Sequence, residues 1–428
     1  MTTTHDLTQA ARDILRRNDR GSYTVPTAGL YPYQWNWDSA FAAFGFASFD
    51  VNRAWVELET LFSGQWPNGM VPHILFHEVD EGYFPGPDVW GTDGIGPIPS
   101  SGISQPPIAA SFARSIYGGD PAAGRSRMQG LFPKMLAWHR WFMHHRGESG
   151  AICITHPWEA GRDNAPDWDD AMANIDVAGV GPYVRRDTAH VDPHMRPTKY
   201  DYDRYITLVN FGRENGWNED AILKNGPFRV ADPTMTFTLL RAHRDLKDMG
   251  DTLGFDTDEI AGWITALEVG AQTLWNPAIS AYDAKDLRTG KFTGTVSNAS
   301  FLNWYAGIDD ARMLPTLTRV LAQVSFGLPS YDPEGPKFDA HRYWRGPVWA
   351  IMNTLIGIGL RDCGHLELAE QLRSQTADLI AAHGFAEYYD PHTGEAAGGG
   401  AFTWTAAVWL GWASPDSGQN TNSPNGKA

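Results

Sequence analysis

Two segments of the chain each carry a carboxylate among aromatic and turn-forming residues. Asp163 lies within residues 158–164, which also hold a tryptophan, a glycine and an arginine. Glu387 lies within residues 386–391, where two tyrosines follow it. Two separated carboxyl groups in an aromatic setting are the minimum apparatus for cleaving a glycosidic bond, because one acid protonates the leaving oxygen and one base handles the water. The pair therefore indicates a candidate glycosidase.

Each carboxylate also has a simpler interpretation. Asp163 follows Arg162 directly, and the two could form nothing more than a salt bridge. Glu395, in a Thr-Gly-Glu turn, is a rival to Glu387 as the base. The acidic run 167–170 is more typical of a solvated loop or a helix start than of a metal site.

Tryptophan is the compositional outlier, with 18 residues in the chain. Many of them stand beside Gly, Pro, Asn or Asp, as in residues 34–38 and 65–69, which is typical of loops. Aromatic rings in polar loops suit the apolar faces of sugars, with amides and carboxylates for the hydroxyls. Asp38, at the end of the first cluster, either caps a helix or binds sugar hydroxyls.

The bulk composition excludes several classes of partner. The chain has 428 residues and a net charge of −16, which argues against nucleic acid and anionic membranes, because both attract basic patches. Two cysteines suit a reducing compartment. No signal peptide and no apolar run of roughly 18 residues stands out. We therefore expect a soluble cytoplasmic protein, and the oligomeric state stays open.

No motif indicates a cofactor or a metal. Three histidines (139, 144 and 145) fall on one predicted helix, but the His-Glu-x-x-His pattern of zinc enzymes does not occur. The phosphate-binding glycine motifs and the Gly-x-Ser-x-Gly elbow of serine hydrolases are also absent from the sequence. We expect no cofactor and no metal.

Helical periodicity recurs along the whole chain and predicts about twelve helices. The predicted ranges are 7–18, 37–48, 51–64, 107–118, 129–146, 200–214, 232–248, 257–274, 309–325, 346–361, 365–382 and 402–413. Long loops separate them, at 20–36, 65–106, 147–199, 276–305, 326–345 and 383–401. Helices that alternate with long loops, in which the unusual residues are concentrated, predict an all-α fold. The expected form is an α/α barrel of two concentric rings, with the loops at one mouth.

The domain organisation is predicted to be simple. No shift in composition splits residues 1–413, so we expect a single barrel domain with the catalytic residues in it. Residues 414–428 are polar throughout and predict a disordered tail.

Several segments together resemble glycoside hydrolase family 63, and in particular its small bacterial branch of mannosylglycerate and glucosylglycerate hydrolases. The resemblance extends from about residue 30 to residue 412. It rests on residues 31–38, 65–73, 82–87, 101–107, 158–164, 202–205, 343–349 and the segment around Glu387.

The resemblance implies an (α/α)6 barrel and an inverting mechanism, with Asp163 as general acid and Glu387, rather than Glu395, as general base. It implies a sugar subsite formed by Tyr31, Trp35, Asp38, Gln105, Tyr343, Trp344 and Trp349. It also implies that Tyr83, Arg196 and Tyr202 hold the glycerate. Arginine suits a carboxylate there because its planar fork binds both oxygens. The loops 88–100 and 172–195 are not distinctive, which leaves the acceptor specificity open.

The sequence thus favours an inverting α-glycosidase that cleaves 2-O-α-glucosyl- or mannosyl-glycerate. A neutral α-glucoside such as a disaccharide is the alternative within the class. A sugar isomerase or epimerase would typically use histidines as acid and base, and a sugar-binding module would not need both carboxylates. The choice between glucose and mannose depends on the placement of one hydroxyl, which the sequence does not give.

Overall fold

The computed structural model describes residues 3–147 and 150–417. Its α-helices are α1 Thr4–Asn18, α2 Asn36–Phe46, α3 Val51–Ser63, α4 Pro87–Trp90, α5 Ala109–Gly119, α6 Pro121–His145, α7 Asp169–Ala173, α8 Asp187–His190, α9 Lys199–Glu214, α10 Glu219–Asn225, α11 Pro233–Leu253, α12 Asp258–Ala271, α13 Leu314–Leu321, α14 Ala350–Asp362, α15 Leu366–His383 and α16 Thr403–Val408.

Strands in the described residues are short and form small antiparallel pairs or ribbons at the loops. They are β1 Gln34–Trp35, β2 Ile74–Leu75, β3 Cys153–Ile154, β4 Val230–Ala231, β5 Trp275–Asn276, β6 Ala281–Tyr282, β7 Lys285–Asp286, β8 Lys291–Phe292, β9 Tyr388–Tyr389 and β10 Ala396–Ala397. β1 pairs with β2, β5 with β6, β9 with β10, and the largest sheet has the order β3-β4-β7-β8.

The helices form two concentric rings. In the inner ring α16 packs on α2, α2 on α5, α5 on α11, and α11 on the short 3-10 helix at residues 298–301. α14 closes the ring, because it packs on α16 and its Gly359 lies directly against the backbone of Tyr305, just after that 3-10 segment. The predicted α/α barrel is therefore confirmed, with six inner segments.

An outer layer covers the inner ring. α1 packs on α16, α3 on α2, α6 on α5 and α11, α12 on α11, and α15 on α14. α13, the sixth outer helix, buries Leu317 and Val320 in the same core. Every residue of α2 and α16 is buried, whereas the outer helices turn a polar face to solvent, as expected for two nested layers.

The inner segments begin at one end of the barrel. Trp35 precedes α2, Gln105 lies just before α5, and Phe402 precedes α16. All three line a single pocket. This end is therefore the mouth, and the loops that precede the inner helices position the site.

Each of the twelve helices predicted from the periodicity overlaps an observed helix, but these twelve are not the same set as the twelve segments of the two rings. The predicted helix 200–214 is α9, which packs against the short α4 beside the pocket instead of entering a ring. The sixth inner position is taken by residues 298–306, predicted as part of a loop. The helix predicted at 129–146 starts earlier, at Pro121, where Asp120 caps it.

Two other expectations concern the ends of the chain and membranes. Of the tail predicted at 414–428, residues 418–428 lie outside the described residues, while Ser417 donates a backbone hydrogen bond to Ser414. The single-domain organisation stays a prediction.

In the described part of the chain, the helices are all too short or too polar to cross a bilayer.

Candidate active site

One pocket opens at the mouth of the barrel, with about 840 Å³ of space including its entrance. Its walls come from loops that are far apart in the sequence. The residues that line it are Pro26, Leu30, Tyr31, Trp35, Trp37, Asp38, His73, Ile74, Tyr83, Phe84, Pro85, Gln105, Trp158, Gly161, Asp163, Arg186, Asp187, Arg196, Pro197, Tyr202, Tyr343, Glu387, Phe402 and Trp404.

Glu387 is fully buried in the wall of this pocket. The residue precedes β9, and its backbone N–H donates to the Gly399 carbonyl across the β9–β10 hairpin at 2.8 Å. In return the Gly399 N–H donates to Glu387 Oε2 at 2.9 Å. The indole N–H of Trp404, on α16, donates to the Glu387 carbonyl at 3.2 Å. The carboxylate is thus fixed on a rigid turn.

Side chains from three loops also donate to Glu387. Tyr31 OH lies 3.0 Å from Oε1, and Tyr343 OH lies 3.4 Å from the same oxygen. Arg196 Nη1 lies 3.1 Å from each carboxylate oxygen. These donors hold the Glu387 carboxylate in one orientation.

Asp163 faces the same pocket from the opposite half of the chain. It follows a 3-10 helix at residues 157–160 and a turn at Gly161, where φ is +67° and an added Cβ would lie 2.6 Å from the Trp37 ring. Only glycine fits that turn. Tyr205 OH donates to the Asp163 carbonyl at 2.8 Å, which holds the backbone in place.

The Asp163 carboxyl has no ion-pair partner among the described residues. Burial raises its pKa to about 7, with Arg196 opposing the shift and Glu387 adding to it. A carboxyl group with such a pKa carries a proton at neutral pH for a useful fraction of the time, as a general acid requires.

The neighbouring Arg162 does not pair with Asp163, so the simple salt bridge considered above does not form. Arg162 points into the core, where Nη2 lies 3.1 Å from Asp167 and 3.1 Å from Asp232. It also donates to Thr234 and Ser297. Asp167 is therefore a buried partner, not a solvated loop residue.

Asp38 lies in the first turn of α2 and is buried in the pocket wall. Burial raises its pKa well above the ordinary value, and Glu387 contributes to the shift. Gln105 accepts the backbone N–H of Trp37 at 3.2 Å and faces the same space. Both side chains are placed to bind hydroxyl groups.

Arg196 is buried and already engaged on several sides. Besides Glu387, its Nε contacts Asp187 Oδ2 at 3.1 Å, and its Nη2 contacts the hydroxyl of Tyr31. The guanidinium lies over the Tyr343 ring at 4.1 Å.

Two loops meet above the pocket. Arg186 and Asp80 form a two-pronged ion pair, with Nη1 and Oδ2 2.8 Å apart. Phe84 stacks on Tyr183 with ring centroids 4.9 Å apart. Arg185 lies over Tyr202 at 4.0 Å and pairs with Asp187. These contacts join residues 80–84 to residues 183–187 across the mouth.

The structure brings most of the candidate residues together. The residues that line the pocket are Tyr31, Trp35, Asp38, Tyr83, Gln105, Asp163, Arg196, Tyr202, Tyr343 and Glu387. Trp344 and Trp349 do not line it: they are fully buried behind Tyr343 and stack on each other at 3.8 Å. Glu395 is exposed at the far end of its hairpin, outside the pocket lining.

Sequence reasoning missed several residues of the pocket. His73 and Trp158 line the pocket and belong to two of the motifs noted in the sequence. Their position within those motifs was the sequence feature that could have identified them. Asp187 and Arg186 belong to the loop 172–195, which carries no distinctive pattern. Within the described residues, no group of three His, Cys, Asp or Glu side chains is arranged to hold a metal ion.

The geometry can support acid–base chemistry on a polar ligand held among aromatic rings. Asp163 has the environment of a proton donor, and Glu387 has hydrogen-bond donors at both carboxylate oxygens. Tyr31, Trp35 and Tyr83 form edge-to-face contacts that make one wall aromatic. Such walls suit the apolar face of a sugar.

Comparisons with known proteins agree with this chemistry. A family model described as the mannosylglycerate hydrolase MGH1-like glycoside hydrolase domain matches residues 31–405. A mannosylglycerate hydrolase of Thermus thermophilus is 44% identical over 411 residues, covering 94% of this chain and 99% of that protein. A glucosylglycerate hydrolase of Mycolicibacterium hassiacum is 32% identical over 437 aligned positions, covering 96% and 98%. A crystal structure of a Thermus thermophilus GH63 mannosylglycerate hydrolase, in complex with Tris and D-glycerate, is similar with a TM-score of 0.91 and 44% identity, covering 94% and 99%.

Proposed function

Because this chain belongs to the mannosylglycerate hydrolase MGH1-like family of glycoside hydrolases, we propose that it hydrolyses 2-O-α-mannosyl-D-glycerate and its glucosyl counterpart to free sugar and glycerate. The observation that carries the proposal is that Asp163 and Glu387 face one pocket, where burial raises the pKa of Asp163 to about 7 and hydrogen-bond donors contact both oxygens of Glu387. The family resemblance inferred from the sequence motifs is confirmed.

In the proposed reaction Asp163 gives its proton to the glycosidic oxygen. The C1–O bond breaks with its electron pair leaving on glycerate, and a water oxygen forms the new bond to C1. Glu387 takes the proton of that water. One water is consumed, and the sugar is released with the opposite anomeric configuration. The carboxyl groups of an inverting pair stand roughly 6.5–9.5 Å apart, which is the separation we expect when substrate is bound.

The glycerate carboxylate needs a fixed cation, because an anion buried without a partner is costly. Arg196 is the residue we propose for it, with Tyr83, Gln105 and Tyr202 around the glycerate hydroxyls. Tyr31, Trp35, Asp38 and Tyr343 are proposed to hold the sugar. A role for Trp344 and Trp349 is limited to supporting Tyr343, since Trp349 Nε1 donates to the Tyr343 carbonyl at 3.1 Å.

Mannose is the sugar we propose as preferred, because the mannosylglycerate hydrolase is the closer of the two relatives described above, at 44% against 32% identity. The cytoplasmic location expected from the low cysteine content remains part of the proposal.

A hydrolysis screen tests the function. Purified protein is incubated with mannosylglycerate, glucosylglycerate and a neutral α-disaccharide, and released sugar is measured. We expect turnover of the glycerate glycosides, with early product NMR showing the β anomer. Release of the α anomer would contradict inversion, and a preference for the disaccharide would contradict the aglycone.

A further inference from the structure

The arginines that line the pocket, among the residues that the structure describes, already have carboxylate partners. Among the described residues that line it, the arginines are Arg186 and Arg196, and each is already paired. Arg186 is paired with Asp80, and Arg196 with Asp187 and Glu387. Burial lowers the pKa of His73 well below its ordinary value, so this ring is neutral. A ligand carboxylate therefore meets arginines that already hold carboxylate partners.

The catalytic base is also fully occupied. Glu387 accepts hydrogen bonds from Tyr31, Tyr343, the Gly399 N–H and, at both oxygens, from Arg196. A carboxylate has about four lone-pair sites, and five contacts fall on them here. A water molecule that is to lose its proton to Glu387 has no acceptor site until one donor leaves.

Which donor leaves is decided by the guanidinium geometry. An arginine has five N–H bonds, and a carboxylate binds it bidentately along one edge. The Nε side of Arg196 is held by Asp187, which Arg185 fixes through two contacts of 3.0 and 2.6 Å. The remaining edge is formed by Nη1 and Nη2. Nη1 is the nitrogen that contacts Glu387, so a carboxylate on that edge competes with Glu387 for Nη1.

We propose that the substrate's own carboxylate releases the catalytic base: glycerate binding on the Nη1–Nη2 edge of Arg196 breaks the Arg196–Glu387 ion pair and frees Glu387 to accept the proton of water. The inference rests on the proposed function. It makes Arg196 a positioning residue for the base as well as a ligand of the aglycone. Selectivity for anionic aglycones then lies in the turnover step, because a neutral aglycone leaves the base engaged.

The test uses a substrate without an aglycone. α-Mannosyl fluoride needs no proton from Asp163 to expel fluoride, but it still needs Glu387 to take the proton of the attacking water. Its hydrolysis is followed with a fluoride electrode at constant ionic strength, with added formate, acetate or 3-hydroxypropanoate. Acetamide and 3-hydroxypropanamide are the matched neutral additives. We expect the carboxylates to raise kcat roughly tenfold, the equivalent of one charged hydrogen bond, and the amides to have no effect.

Two variants identify the arginine involved. Arg196→Gln should hydrolyse the fluoride faster than the native enzyme without additive, and should no longer respond to carboxylate. Arg186→Gln removes the other arginine of the pocket lining and should keep the response. A response lost in Arg186→Gln and kept in Arg196→Gln would overturn the proposal, as would carboxylates that inhibit the native enzyme or leave it unchanged.

Assays of the native enzyme on the glycerate glycosides and on the fluoride distinguish a failure of this inference from a failure of the proposed function. Hydrolysis of mannosylglycerate together with an unresponsive fluoride reaction would refute only the release of the base. Hydrolysis of the fluoride without hydrolysis of either glycerate glycoside would refute the proposed aglycone. If Arg196→Gln fails to fold, as judged by its circular dichroism, the response of the native enzyme and of Arg186→Gln still decides the outcome.

Discussion

At the scale of single residues, the two carboxyl groups of the pocket are proposed to have different roles because their surroundings differ. Glu387 receives donors on both oxygens, including a guanidinium. Asp163 is without an ion-pair partner among the described residues, and burial raises its pKa to about 7. Opposite environments for neighbouring carboxyl groups are how acid and base roles are separated at one pH.

Asp163→Asn removes the proposed proton donor and is expected to lower kcat on mannosylglycerate by roughly 10²–10⁴-fold, the usual contribution of a general acid. Hydrolysis of α-mannosyl fluoride should fall far less, because fluoride leaves without a proton. Steady-state kinetics on the two substrates provide the measurement. Equal losses on both would show that Asp163 does not act as the acid.

The pH dependence of the reaction follows from the same group. Asp163 must be protonated to act, so we expect kcat/KM on mannosylglycerate to fall as the pH rises through about 7, the pKa of this carboxyl. The fluoride reaction should lack this alkaline limb. If kcat/KM falls at the same pH in both reactions, the titrating group is not Asp163.

Glu387→Gln should abolish the activation of water and cost roughly 10²–10⁴-fold in kcat. Glu395→Gln is the matched control, because Glu395 is exposed at the end of the same hairpin and should be dispensable. Both variants are assayed on mannosylglycerate and on the fluoride. A dead Glu395→Gln beside an active Glu387→Gln would reverse the assignment of the base.

At the scale of elements, a buried arginine ties the loop of the acid to the barrel. Arg162 joins this loop to Asp232, which caps α11, and to Ser297, which precedes the inner 3-10 segment. Two segments of the inner ring therefore meet the Asp163 loop at one guanidinium. The position of Asp163 depends on this contact, although Arg162 does not touch its carboxylate.

Arg162→Met is expected to destabilise the protein by about 3–5 kcal/mol, because it leaves two buried carboxylates without a cationic partner. Arg140→Met is the control: Arg140 pairs with Glu259 on the surface, at about half exposure on both sides, and should cost under about 1 kcal/mol. Urea unfolding of both variants measures the difference. Similar losses would mean that the buried network contributes no more than the surface pair.

The elements also show how far the sequence alone could lead. Amphipathic outer helices such as α3 and α13 can be predicted from the periodicity of their apolar residues, because one face of each helix is polar. Residues 298–306 are buried on all sides and carry no such pattern, so their place in the inner ring was missed. Arg186 precedes the short α8 and Asp187 begins it. Arg186 pairs with Asp80, which is distant in the sequence, and Asp187 pairs with Arg196, so no local sequence pattern predicts these contacts. Asp163 and Glu387 were singled out by their aromatic and turn-forming neighbours, and the family resemblance supplied their proposed roles.

At the scale of the whole molecule, the inner ring must close at every junction. Between α14 and residues 304–305 the backbones touch, and a Cβ on Gly359 would lie 2.2 Å from the Tyr305 nitrogen. The junction leaves no room for a side chain. The position of α16, which carries Trp404 in the pocket wall and packs on α14, depends on this closure.

Gly359→Ala should therefore destabilise the protein by about 1–3 kcal/mol, the usual effect of overpacking. Gly262→Ala is the control, since Gly262 is exposed within α12 and an added Cβ meets nothing within 4 Å. That variant should gain about 0.5–1 kcal/mol from helix propensity. Thermal unfolding distinguishes them, and a stabilised Gly359→Ala would show that the junction can open without cost.

The contact between α1 and α16 determines when the enzyme can become active during its synthesis. The first helix rests on the last, Asn18 donates to Thr403 across the seam at 3.0 Å, and Glu387 and Phe402 enter the pocket from the final stretch of chain. A ribosome must therefore release nearly all of these helices before the ring closes. Until then α2 and α14 expose the apolar surface that α16 will cover, which is the surface a chaperone recognises. A chain interrupted before residue 387 has the proposed acid but lacks the proposed base, and one interrupted before α16 has both carboxyl groups but lacks the inner helix that packs beside them.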